Sequence, residues 1–362
     1  MIPVLWLSGP PGVGKTAVGW EIYQRLQVAG AKPAYVDVDQ LGICYPPLAG
    51  DPDRHALKAR NVAALRANFA AAGARTLIVS GVVDALRGPD SGTLGGPRLA
   101  VARRRADPDE LRARLLQRDG PSDEHEAAVE AARALDHSGF ADVCIDTSGV
   151  SIGEAATCVL AETGAWPPAG TQRPPSPAPG DRTEAGGEIL AVTGATGVGK
   201  SAIAFRAYLD VLSSGQCAAY VDVGQIGFCS TAPDDHALKA RNLAALWANF
   251  HDAGAGRAIV VGRVATRAEA RLYEQALPRA SWSWRRLRVG EAELTRRILS
   301  RGDGGAWAEP GDPLKGRSRD ELLAVAGGAL TEGRLHDVGL PVDVDGLDIP
   351  AAAAALLARG PA

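Results

Sequence analysis

The sequence predicts an α/β protein made of two tandem, doubly wound parallel-sheet domains. Three observations carry that prediction. A block of strand, glycine-rich turn and helix occurs twice, the strands are short apolar runs with no period-two alternation, and a proline-rich stretch separates the two copies. The 362 residues are long enough for two cores, and 46% hydrophobic with 22% charged residues is an ordinary globular balance.

Taken in order, VLWLSG near the start reads as a strand buried on both faces, and the segment 16–29 after its glycine turn reads as a helix. AYVDVD is the second such strand, 55–72 the next helix and TLIVSG the third strand. The stretch VLWLSGPPGVGKT (4–16) returns as ILAVTGATGVGKS (189–201), placing Lys15 and Lys200 185 positions apart. YVDVDQLG (35–42) and YVDVGQIG (220–227) keep that offset, which drops to 181 where HALKARN begins at His55 and at His236. The second copy therefore has a loop four residues shorter. Further on, LIVSGVV (77–83) matches AIVVGRV (258–264), and DELRARLLQRDG (109–120) matches AELTRRILSRGDG (292–304) loosely. Residues 167–187 hold six prolines among glycines and polar residues and read as a semi-rigid extended linker. The expected domains are 1–166 and 188–362, with contact between the two copies allowed within the chain.

A net charge of −3 gives no whole-chain attraction to nucleic acid or to a membrane surface. No apolar run reaches the roughly 18 residues of a membrane helix, and the apolar strand at the very start leaves no room for a signal peptide, so a cytoplasmic location is expected. Five cysteines without metal-ligand spacing are expected to be reduced and mostly buried.

The two glycine-rich turns carry the chemistry. Gly9, Pro10, Pro11, Gly12, Val13, Gly14, Lys15 and Thr16, and again Gly194, Ala195, Thr196, Gly197, Val198, Gly199, Lys200 and Ser201, satisfy G-x-x-x-x-G-K-[ST], each after a strand and at the start of a helix. Successive backbone N–H groups at a helix N-terminus cradle phosphate, the lysine reaches the β/γ-phosphates, and the hydroxyl of Thr16 or Ser201 ligates Mg²⁺. Each copy is thus expected to be a P-loop NTPase domain that binds ATP with Mg²⁺.

Asp37 and Asp39 follow the second strand, where an open α/β sheet places its ligands, and two residues apart on a strand they would share one face. One carboxylate would organise Mg²⁺ and the other would orient and deprotonate an acceptor hydroxyl. The second copy keeps Asp222 but has Gly224 in place of the second carboxylate. Neither third strand ends in the acidic pair of a mechanical ATPase. Only six of the 39 basic side chains are lysines, and four of these recur at equivalent places as Lys15 and Lys200, Lys58 and Lys239. Lys58 lies one turn before Val62 on the stripe Val62, Leu65 and Phe69, so it is expected to meet a substrate anion, together with Arg60 and Asn61 and their counterparts Lys239, Arg241 and Asn242. Arg103, Arg104 and Arg105 with Arg112 and Arg118, and in the second copy Arg285, Arg286, Arg288, Arg297 and Arg301, are expected on a lid over the transferring phosphate.

Each copy resembles the small P-loop kinases typified by adenylylsulfate kinase, gluconate kinase, chloramphenicol phosphotransferase and shikimate kinase. GPPGVGKT is followed about 20 residues later by VDVDQ, similar to that group's acid-x-acid motif. DRHALKARNVAALRANFAAAGARTLIVSG resembles the substrate helix and third strand of adenylylsulfate kinase, ADPDELRARLLQRDG the lid, and CIDTSG the closing strand and adenine-side loop. The YVDVDQLG stretch is also similar to tunicamycin-resistance-type nucleotide-binding proteins. The resemblance implies a phosphotransferase for a small-molecule hydroxyl, with Lys15 and Thr16 on phosphate and Mg²⁺, Asp37 supporting Mg²⁺ and Asp39 the acceptor base. Copy 1 is then the likelier catalyst. Asp222 and Ser201 would hold metal in copy 2, which departs from the pattern at Gly224 and lacks DTSG. A different class stays open: a nucleotide-binding regulator with no acceptor.

Overall fold

The structure is a computed structural model, and the residues it describes are 1–94, 99–164, 185–302, 312 and 314–358, with the side chains of Arg118 and Asp119 excepted. Residues 167–184 of the expected linker lie outside this set, as does the Arg118 side chain. The described residues form two compact units, one holding 1–42, 49–164 and 228–234, the other 43–48, 185–227 and 235–358.

In the first unit β1 (Val4–Ser8) feeds the phosphate-loop turn and α1 (Lys15–Val28), then β2 (Pro33–Asp37). The two-residue β3 (Cys44–Tyr45) belongs to the second unit's sheet. The chain continues through α2 (His55–Ala71), β4 (Thr76–Ser80), the short α3 (Ser91–Leu94), β5 (Leu99–Arg105), α4 (Pro108–Asp119), α5 (Glu124–Asp136), β6 (Val143–Asp146) and α6 (Ile152–Glu162). The sheet order is β2-β4-β1-β5-β6, every pairing parallel. β1, β2 and β4 are buried along their whole length, because helices cover both faces. On one side Leu5, Leu7, Tyr35 and Ile78 pack against Val18 and Ile22 of α1 and Val159 of α6. On the other, α2 sends Val62, Leu65 and Phe69 inward, all fully buried. Leu111 and Leu115 of α4 join Ala128 and Val129 of α5 in a separate cluster.

The second unit repeats the plan with β7 (Glu188–Thr193), α7 (Lys200–Ser213), β8 (Ala218–Asp222), α8 (His236–Asp252), β9 (Arg257–Val261), α9 (Arg267–Ala276), β10 (Ser281–Arg288), α10 (Glu291–Gly302), α11 (Arg319–Leu335), β11 (Leu340–Asp343) and α12 (Ile349–Leu357). Its order β11-β10-β7-β9-β8-β3 is parallel except for β3, which runs antiparallel to β8. Membership of 43–48 and 228–234 crosses the halves of the sequence, which the repeat pattern does not reveal.

All five cysteines are free thiols, but only Cys44 and Cys229 are buried, a correction to the expectation that most are. Cys144 sits on β6, the last strand of its sheet, and Cys158 on the solvent side of α6, so both are exposed. Among the described residues no helix is long and apolar enough to cross a membrane.

Candidate functional site

The two glycine-rich loops are held the same way. Gly14 and Gly199 start their helices in the left-handed region, at φ 81° and 96°, and no side chain caps the free N–H groups there. A helix N-terminus with open donors and a positive dipole end suits an anion. Lys15 Nζ donates to the Pro10 carbonyl at 2.9 Å, and Lys200 Nζ to that of Ala195 at 2.9 Å, so each lysine folds back over its own loop. Gly12 and Gly197, at φ 81° and 83°, are closely covered. A Cβ on Gly12 would lie 2.7 Å from Leu115, and one on Gly197 2.4 Å from Ile298, so α4 and α10 rest directly on the loops.

Around the first loop the structure assembles a hydrogen-bonded chain. The Thr16 hydroxyl donates to Asp37 Oδ2 at 2.7 Å, and the Ser80 hydroxyl donates to the same oxygen at 3.1 Å. Because the Ser80 proton is committed, the Tyr35 hydroxyl is the donor in its 2.7 Å bond to Ser80. Burial, then the Asp39 charge, pushes the Asp37 carboxyl above its ordinary range, against the Thr16 hydroxyl, the Asp39 N–H and Lys15. Ser80 is a member that sequence reasoning missed. The only signal was its place at the C-terminal end of β4, one strand from Asp37.

Asp39 reaches the site by a route other than the expected one. β2 ends at Asp37, and Asp39 lies in the turn beyond it, its N–H bonded to Asp37 Oδ1 at 2.9 Å. The carboxylates meet through this side-chain-capped turn, not through the pleat of a strand. Asp39 is half-exposed and pairs with Lys58 Nζ at 2.9 Å. Lys58 is therefore bound to the chain's own carboxylate, a change from its expected role toward a substrate anion. The lysine stem runs along Gly42, where a Cβ would lie 2.6 Å from Cε. Asn61 is fully buried and donates to the Leu41 carbonyl at 2.6 Å, which positions the turn.

Three expected site arginines stand elsewhere. Arg60 and Arg241 are on the exposed sides of α2 and α8, since a helical neighbour of an inward lysine two positions on faces away from it. Arg112 is half-buried and held by Asp109 at 2.8 Å and Glu126 at 2.7 Å. The arginine beside the loop is Arg104 on β5, whose Nη1 lies 3.2 Å from where a Gly14 Cβ would be. Arg104 is 3% exposed, and its Nε and Nη1 have no hydrogen-bond partner. Burial and then the Arg114 charge lower its guanidinium to about 10.

The second unit keeps part of this arrangement. Ser201 donates to Asp222 Oδ2 at 3.2 Å, and the Gly224 N–H bonds Asp222 Oδ1 at 2.8 Å, preserving the turn without its second carboxylate. Val261 occupies the β9 end that corresponds to Ser80. Leu287 takes the place of Arg104, each carbonyl lying under the first glycine of its loop. Instead Arg297 of α10 donates to the Val198 carbonyl at 2.8 Å. Lys239 is buried along Gly227 as Lys58 is along Gly42, and Asn242 donates to the Ile226 carbonyl at 2.7 Å. Desolvation pushes the Lys200 ammonium down to about 8, with Asp222 and Glu332 opposing and Arg263 and Arg301 adding. Asp222 is raised, mainly by desolvation. Among the described residues no three His, Cys, Asp or Glu side chains cluster as a metal site.

No family model and no curated protein matches the chain. Similar solved structures include a tunicamycin resistance protein from Deinococcus radiodurans, 22% identical over 45% of this chain and 96% of its own, with a TM-score of 0.34. A sugar kinase from a Janibacter species is 18% identical over 48% of this chain and 100% of its own, with a TM-score of 0.34. A hexameric APS kinase from Thiobacillus denitrificans is 14% identical over 93% of this chain and 68% of its own, with a TM-score of 0.24.

Proposed function

We propose that the first unit is an ATP-dependent phosphotransferase for a small-molecule hydroxyl, and that the second is a nucleotide-binding copy without the acceptor machinery. The observation that carries this reading is the division of labour between two carboxylates beside one phosphate loop. Asp37 is buried against the Thr16 hydroxyl, while Asp39 is half-exposed, two residues on, and fixed by Lys58.

A magnesium ion fits the first of these positions. A hydroxyl and a carboxylate oxygen converge there, both hard donors, and the desolvated Asp37 lacks a close cationic partner at hydrogen-bond distance. Thr16 and Asp37 would hold the ion, which would supply charge neutralisation toward the phosphates. The loop N–H groups and Lys15 would bind the triphosphate, and Tyr35 and Ser80 would hold Asp37 in orientation. Asp39 would accept the proton of the acceptor hydroxyl as that oxygen attacks the terminal phosphoryl group. Lys58 acts as a positioning residue that keeps the carboxylate aimed from the turn.

The test is phosphoryl transfer from labelled ATP to a panel of small hydroxyl acceptors, using the full chain. Asp39→Asn is expected to lower transfer by about 10²–10⁴-fold while ATP binding persists. Unchanged turnover in that variant removes the base assignment. The second unit's Gly224 favours one further reading, a nucleotide-binding regulator, and ATP hydrolysis without transfer to any acceptor would support it.

A further inference from the structure

β2 is the outermost strand in the order of the first unit's sheet, and Asp37 stands at its end. The outer edge of this strand is paired. The Tyr35 N–H donates to the Phe228 carbonyl at 2.9 Å, the Ser230 N–H donates to the Pro33 carbonyl at 3.0 Å, and Ala34 bridges Cys229 in the antiparallel sense. Residues 228–230 come from the second half of the sequence but belong to the first unit. They satisfy backbone groups that an edge strand otherwise leaves open to solvent or to another chain.

The exchange is reciprocal. The offset of 185 that relates YVDVDQLG to YVDVGQIG carries Ile43 onto Phe228. In the second unit the Tyr220 N–H donates to the Ile43 carbonyl at 2.9 Å, and Cys44 and Tyr45 pair with Ala219 and Ala218 of β8. Each unit thus receives the residues that follow the second-strand turn in the other half of the sequence. What separates the two cases is the side chain that arrives and what it touches.

In the first unit the Phe228 ring completes an aromatic group. Its centroid lies 4.8 Å from that of Trp20, edge to face, and 6.0 Å from that of Tyr35. Trp20 meets Tyr35 edge-on at 5.5 Å. Tyr35 is fully buried, so its ring can shift only into space that a neighbour vacates. Its hydroxyl donates to Ser80 at 2.7 Å, and Ser80 donates to Asp37 Oδ2 at 3.1 Å, the oxygen that also accepts from Thr16. A displacement of the ring therefore reaches the carboxylate through two hydrogen bonds. In the second unit the Tyr220 hydroxyl donates to the Ser201 backbone carbonyl at 3.4 Å, and Val261 stands in the place of Ser80, so the relay through that position is missing.

We propose that Phe228 is a positioning residue of the first unit's site. Supplied by the second half of the sequence, it wedges Tyr35 so that the Ser80 hydroxyl holds Asp37 beside Thr16. The inference rests on the reading of Thr16 and Asp37 as the residues that hold magnesium, and it does not need the acceptor or the role given to Asp39.

The test is calorimetric titration with ATP at rising Mg²⁺, using the full chain with Lys200→Ala so that the first loop is the one loaded. Tyr35→Phe keeps the ring and removes the hydroxyl, and should raise the Mg²⁺ needed for half-maximal ATP binding by about tenfold, the cost typical of losing a group that orients a metal ligand. Phe228→Ala should raise it severalfold, and Phe228→Leu, which refills most of the space, should restore it. Combining Phe228→Ala with Tyr35→Phe should cost no more than Tyr35→Phe alone, since both act through one hydroxyl. Phe205→Ala removes the ring that lies edge-on to Tyr220 at 5.3 Å in the second unit, and should leave the Mg²⁺ dependence unchanged. A lower thermal midpoint in Phe228→Ala with an unaltered Mg²⁺ dependence overturns the proposal, as do additive losses in the double variant. ATP binding that ignores Mg²⁺ overturns it too. Should Phe228→Ala not fold, Phe228→Val is read the same way and decides. Transfer is not measured in this titration, so failure to find an acceptor removes the phosphotransferase reading alone.

Discussion

The two units share a phosphate loop and differ in almost everything that touches it from outside. Both fold their loop lysine back onto a carbonyl five residues earlier, and both press an apolar helix side chain onto a loop glycine. Beyond that, the first unit ties Thr16, Asp37, Ser80 and Tyr35 into one chain and adds the Asp39–Lys58 pair. The second retains the Ser201–Asp222 contact and the turn at Gly224, and has Leu287 where the first has Arg104. The difference teaches that a loop geometry made of backbone survives side-chain divergence, whereas a hydrogen-bonded cluster made of side chains does not. Cradling needs N–H groups and glycine conformations, and only one lysine is specific to it.

The largest effect expected from this asymmetry is catalytic. Lys15→Ala should lower phosphoryl transfer at least about a hundredfold, while Lys200→Ala leaves it within about twofold. Equal losses in steady-state assays would break the division of roles.

Next in size is the exchange of Arg104 and Leu287 between the units. Leu287→Arg buries a charge in an apolar wall and should destabilise the chain by about 3 kcal/mol or more in denaturant titration. Arg104→Leu removes a buried guanidinium with two open donors, and should be neutral or raise stability by about 1–3 kcal/mol. A large loss there would show that Arg104 is structurally satisfied.

A smaller effect is expected in proton linkage. With Lys200 lowered to about 8 by desolvation, the unliganded second unit is losing that charge above pH 8. A bound phosphate favours the ammonium and raises its pKa, so nucleotide binding at pH 8.5 should take up most of a proton, falling to about a tenth of one at pH 7. Titration in buffers of different ionisation enthalpy reads this directly, and Lys200→Ala should remove it. The smallest effects belong to Arg60→Ala and Arg241→Ala. Both lie on solvent faces, and turnover and thermal midpoint should not move.

Much of the site was legible because local chemistry wrote it. The loop spacing announced its own geometry, and Asp37 was legible from its place at a strand end. The surroundings of Arg112 and Arg60 were not legible, for a common reason. In a chain this rich in arginine, proximity in sequence does not tell which guanidinium is drawn inward and which is held at the surface by acids such as Glu126. Ser80 was illegible as a site member because it is brought to the loop by a neighbouring parallel strand whose sequence distance from it carries no information, and the same placement puts Arg104 on a strand beside the loop.

By itself the sequence determined the α/β order and the two glycine-rich turns between a strand and a helix, since periodicity and glycine positions act through local backbone energetics. Tertiary structure decided what those loops face. It turned Lys58 to Asp39 and set a stranded Arg104 against Gly14. Hydrogen-bond partners and burial depend on which elements pack together, and a sheet that places β4 and β5 on either side of β1 settles this across the chain.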